Sequence, residues 1–152
     1  MLVATVHAVQ RAVARLRAAQ SAALSLGQQQ RIAAVADDLQ TTAADLRTQL
    51  DDQGHCILGE PRTLREKMIE AGARMHGALA ARKEKEATSL SWTQALADAI
   101  DTLGEEADQL ADLASAQSAG TPAGAVGRET VSRLRMHRGA LLGEVARLRR
   151  AA

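Results

Sequence analysis

The sequence predicts an all-α protein, an elongated antiparallel bundle of about four helices with a long first helix and coiled-coil-like, Ala-rich packing. Three observations carry that prediction. Apolar residues recur every three or four positions over long stretches, the period of a one-sided helix. Trp92 is the only aromatic residue, with no Phe and no Tyr, and β-structure draws heavily on aromatics. Proline occurs only at 61 and 122, so few positions forbid a helix. A length of 152 residues fits a single domain, residues 1–152.

The first predicted helix runs from about residue 2 to 52. Val6, Val9, Val13, Leu16, Leu24, Ile32, Val35, Leu39, Leu46 and Leu50 keep one helical phase. Only Gly27-Gln-Gln-Gln-Arg31 interrupts it, and a mid-helix glycine costs about 1 kcal/mol relative to alanine. The unbroken phase favours one helix with a weak middle; the alternative is two helices meeting at that gap. Asp51-Asp52-Gln53-Gly54 supplies a glycine stop.

A second helix is predicted over about 61–87, with Pro61 in its first turn and Leu64, Met68, Met75 and Leu79 on its apolar stripe. A third spans about 92–118. Ser91 followed three residues later by Gln94 reads as a capping box, which sets its start at Trp92. Gly120-Thr-Pro-Ala-Gly124 is the clearest break in the chain. A fourth helix follows over about 127–150, with Val131, Leu134, Leu141, Val145 and Leu148 on one face.

Alanine supplies 33 residues, close to half of the apolar set. Such seams let helices approach closely but bury little area per residue, at about 25 cal/mol per Å². The expectation is a chain that gains from a docked protein partner or a homo-oligomer.

The formal charge of +1 conceals a strong polarity. Residues 91–120 carry six acids and no base, whereas residues 121–152 carry seven Arg against two Glu. Within the third helix Asp98, Asp101, Glu105, Asp108 and Asp112 are spaced 3, 4, 3 and 4 apart, on one stripe opposite Trp92, Leu96, Leu103 and Leu110. Like charges so placed repel by a few tenths of a kcal/mol per pair. The stripe reads as a solvated face or as a ridge that meets a basic partner. Helical carboxylates at this spacing can also take a divalent cation, though no His lies among them.

In the fourth helix Arg128, Arg133, Arg135, Arg147 and Arg150 form a candidate polyanion surface. Arg138 falls on the apolar stripe, where an Arg snorkels or pairs, and Glu106 is the predicted structural partner for it. With no groove-reading motif and no aromatics to stack on bases, nucleic-acid binding here would be sequence-tolerant and salt-sensitive.

Signatures of catalysis are missing. His7, His55, His76 and His137 lack the Glu-x-x-His spacing of di-iron bundles. His55-Cys56 offers two ligands where a zinc site needs four, and there is no phosphate-cradling glycine loop. Glu105-Glu106 faces Gln109 where the acidic helix of all-α nucleotide pyrophosphohydrolases would place a third acid. The sequence therefore assigns no catalytic residue, no metal ligand and no cofactor.

Cys56 alone cannot form an internal disulfide, and no apolar run reaches 18 residues. Both fit a cytoplasmic protein with no transmembrane segment. Residues 1–36 hold Arg11, Arg15, Arg17 and Arg31 without an acid, a pattern shared with organelle transit peptides, yet the helical phase runs on past Asp37. Arg outnumbers Lys 16 to 3, which together with the alanine content points to a GC-rich, bacterial coding sequence. The functional expectation is a non-enzymatic adaptor, chaperone or assembly component acting through helical packing and charged stripes. The alternatives are a polyanion binder on the basic fourth helix and a helical-bundle enzyme or metal protein.

Overall fold

The structure, a computed structural model, describes residues 2–19, 24–50, 75, 91–116, 120 and 122–151. Every regular element among them is a helix: α1 (Leu2–Ala18), α2 (Leu26–Thr48), α3 (Trp92–Ala116) and α4 (Pro122–Ala151). The all-α bundle expected from the sequence is what forms. The second predicted helix, the loop before it and the His55-Cys56 pair lie outside the described residues, apart from the helical, exposed Met75.

The four helices form a ring in which α1 packs on α2 and α3, and α4 packs on α2 and α3. Side-chain pairs set the directions. Arg15 meets Asp98 while Thr5 meets Glu106, so α1 and α3 run antiparallel. Arg31 meets Glu144 while Arg133 meets Asp45, so α2 and α4 do the same. Adjacent helices are thus antiparallel around the whole ring, and the acidic α3 lies beside the basic α4 as expected.

The long first helix does not exist. Where one helix over 2–52 was predicted, the chain forms α1 and α2, which pack against each other. Ser25 caps α2 through a reciprocal pair: the Gln28 N–H donates to Ser25 Oγ at 3.3 Å, and the Ser25 N–H donates to Gln28 Oε1 at 2.8 Å. Ser25-x-x-Gln28 is the same signature that marks the start of α3. A straight helix of that length would extend roughly 75 Å and leave its apolar stripe without a partner over both halves. Folding back lets Val9, Val13 and Leu16 share one cluster with Leu24, Ile32, Val35 and Leu39. The apolar phase runs through both α1 and α2, but the helix itself does not.

The start of α3 matches the expected cap, with the Gln94 N–H donating to Ser91 Oγ at 3.3 Å and the Ser91 N–H donating to Gln94 Oε1 at 3.2 Å. The fourth helix begins five residues earlier than predicted, at Pro122. Proline suits a first helical position because its absent N–H has no helical acceptor there. The turn before it needs Gly120, whose φ of +97° disfavours any side chain.

The core divides into two apolar clusters. The larger holds Val9, Leu16, Ile32, Leu39, Leu96, Leu103, Leu134 and Leu141, and the smaller holds Leu2, Val6, Leu46, Leu110 and Val131. Thr5, Thr42 and Glu106 are buried polar residues within the apolar faces of α1, α2 and α3. Ala8, Ala12, Ala36, Ala43, Ala95, Ala99 and Ala107 are buried between the large side chains, so alanine does line the helix seams.

Candidate functional site

The polar residues of the bundle gather on three surfaces. The first is the seam between α2 and α4. Arg31, Asp38 and Asp45 are seven residues apart on α2, and Thr130, His137 and Glu144 are seven apart on α4. Antiparallel packing brings these rows together. Arg133 Nη1 donates to Asp45 Oδ2 at 3.0 Å, and Arg31 Nε donates to Glu144 Oε1 at 2.6 Å, an oxygen that Arg147 also contacts. Glu144 is buried, and its other oxygen, Oε2, accepts no hydrogen bond. Both arginines stay half-hydrated, which spares the pair the full cost of a buried ion pair.

His137 lies buried midway along this seam. Burial pushes its pKa below the ordinary 6.5; the Asp38 carboxylate opposes that shift and the Arg133 guanidinium adds to it. A depressed histidine pKa means that the unfolded chain takes up a proton which the folded chain resists. Stability therefore begins to fall as pH drops through about 6.5 and stops falling below the folded value. The urea midpoint should be lower at pH 5.5 than at pH 7.5, and the difference should shrink in His137→Gln. An unchanged difference in that variant would remove His137 as the cause.

The second polar site is the contact between α1 and α3, where the Thr5 hydroxyl donates to Glu106 Oε1 at 2.6 Å and both residues are buried. Glu106 does not pair with Arg138, contrary to expectation. It stands two residues, about 200° of helix, beyond Gly104, and so faces α1. Arg138 instead crosses α3 at Gly104, where a Cβ would lie 2.8 Å from its Nε. That Nε is buried and makes no hydrogen bond. The glycine costs α3 about 1 kcal/mol relative to alanine, and its space is taken by the guanidinium arm.

The third surface is the outer face of α3 and α4, where most of the predicted site residues lie. Asp101, Glu105, Asp108 and Asp112 are exposed and Asp98 is half-buried, opposite the buried Leu96, Leu103 and Leu110. Asp98 approaches Arg15 at 3.8 Å, and Asp108 approaches Arg135 at 3.6 Å. Asp101, Glu105 and Asp112 form no ion pair among the described residues. The basic set is scattered rather than brought together. Arg133 turns to α2 and Arg135 to α3, Arg147 stays with Glu144, and Arg150 donates from Nε to the Ala146 carbonyl at 3.3 Å. Arg128 is exposed, on the wall of an open depression shared with Arg135 and Ser115.

Beside the acidic stripe, between the start of α3 and the end of α4, runs an open apolar groove of about 420 Å³. Trp92, Ile100, Leu142 and Leu148 line it, with Asp101 and Arg149 at its edges. Leu142 is 42% exposed, unusual for a leucine at a helix–helix seam. Among the described residues no three His, Cys, Asp or Glu side chains converge as metal ligands, and no helix is long and apolar enough to cross a membrane.

No family model, curated protein or solved structure matches this chain.

Reading the sequence alone missed Glu144, His137 and Thr5. The seven-residue spacing of charged residues on α2 and polar residues on α4 was the available signal for the first two. Thr5, a small polar residue inside an apolar stripe, carried no comparable signal.

Proposed function

We propose that this chain is a non-enzymatic interaction protein, an adaptor, chaperone or assembly component, and that the outer face of α3 and α4 is where it meets a protein partner. One observation carries the reading. On that face Asp101 lines an open apolar groove and continues along the helix into Glu105 and Asp112, three exposed carboxylates that form no ion pair among the described residues. Apolar area supplies affinity, while unpaired charges at its edge select and steer the partner.

Asp101→Asn/Glu105→Gln/Asp112→Asn tests the reading. Removing repelling charges should leave stability unchanged or raise it by about 0.3–1 kcal/mol. Capture of a basic partner by the immobilised chain should be lost, and capture by the wild type should weaken with salt. Undiminished capture by the folded triple variant would sink the role of the stripe.

The polyanion alternative draws less support from the geometry. Arg133, Arg135 and Arg147 already face carboxylates, leaving Arg128 and Arg150 as the exposed members of that set with no ion pair among the described residues. The ratio of absorbance at 260 and 280 nm during gel filtration separates the two. With one Trp and no Tyr the chain absorbs weakly, so a small load of nucleic acid would raise the ratio at low salt.

A further inference from the structure

We propose that the groove between α3 and α4 is a two-fold self-association site, whose occupant is the same groove of a second copy of this chain. The inference rests on reading this face as an interaction surface, and it names the partner.

Asp101 comes from α3 and Arg149 from α4; both are exposed, and neither forms an ion pair among the described residues. A surface that carries one unpaired acid and one unpaired base beside an apolar strip is complementary to itself. A two-fold axis passing between them sets the Asp101 of each copy against the Arg149 of the other, as an isologous interface requires. The same operation brings part of the acidic segment 91–120 towards the basic segment 121–152 of the second copy, charges of opposite sign that the +1 total conceals. Leu142, Trp92 and Leu148 would then lose their remaining exposure against their own counterparts, forming an apolar centre inside a charged rim.

Light scattering on the full chain should give a mass twice the chain's 16.1 kDa. Leu142→Asp, which places a charge in the apolar centre, should give a monomer. Asp101→Arg puts Arg against Arg at both contacts, and Arg149→Asp puts Asp against Asp, so each variant alone should be monomeric as well. An equimolar mixture of the two single variants restores both opposite-charge contacts and should recover the doubled mass. Since neither variant carries the repair within its own chain, recovery on mixing is a signature of contact between copies. Circular dichroism confirms that each variant keeps its helices.

A wild-type monomer at every concentration would overturn the proposal, as would dimers that persist in both single variants or a mixture that stays monomeric. The mass of the pure chain reports self-association alone. Loss of a foreign partner in the acidic triple variant reports the broader interaction reading, so either can fail without the other.

Discussion

Leu103→Ala is expected to cost about 3–5 kcal/mol of unfolding free energy, the upper part of the range for buried leucines. Leu103 is fully buried in the larger cluster, in the middle of α3. The positions four residues to either side, Ala99 and Ala107, are also buried and have no long side chain to swing into the hole. The cavity would therefore stay open, and that residual volume sets the cost. Met136→Ala, at a position 62% exposed, should change stability by less than about 0.5 kcal/mol. Denaturant midpoints for both variants, at one fixed protein concentration, check the pair. A Leu103→Ala cost below about 1 kcal/mol would mean that the two-cluster core is not packed as described.

Thr5→Val should cost about 1–3 kcal/mol although it preserves volume and shape, because it withdraws a donor from a buried carboxylate. Thr42 provides the control. It is buried too, but its hydroxyl bonds the Asp38 carbonyl of its own helix at 3.0 Å. That carbonyl keeps its backbone partner when the hydroxyl is lost, so Thr42→Val should change stability by only about 0.5 kcal/mol. Equal effects at the two positions would show that the Thr5–Glu106 contact adds nothing beyond burial. A large difference would assign the Thr5–Glu106 contact a role in fixing how α1 and α3 align.

Much of this architecture was legible in the chain. The stripes Val6, Val9, Val13, Leu16 and Ile32, Val35, Leu39, Leu46 are buried where their phase put them. Ser91-x-x-Gln94 located the start of α3, and the five acids fell on the outer side of that helix. The reading went wrong where two signals of different strength competed. Between Leu16 and Ile32 the apolar phase carries on, and residues 17–26 contain neither glycine nor proline. The Ser25–Gln28 box, next to the gap at Gly27–Arg31, marks the new helix, and a capping box adds about 1 kcal/mol against a periodic stripe many residues long.

The charged residues divide in the same way. That Glu106 and Arg138 lie near apolar stripes could be read from helical phase, but which partners they would find could not. Gly104 lets the Arg138 arm lie across α3, while 200° of helix turns Glu106 to Thr5 on α1. The Arg31–Glu144–Arg147 group needs α2 and α4 side by side, an adjacency that follows from the break at Ser25.

Helical character, the buried face of each described helix and the opposition of an acidic to a basic segment were determined by the sequence itself. These follow from spacing within one helix, where geometry repeats every 3.6 residues. Helix adjacency, the burial of Glu144 and His137 on the α2–α4 seam, and the opening of the groove beside Leu142 were decided only by the tertiary structure. Each depends on which faces meet, and that choice is made collectively by the packing of the whole bundle rather than by any local run of residues.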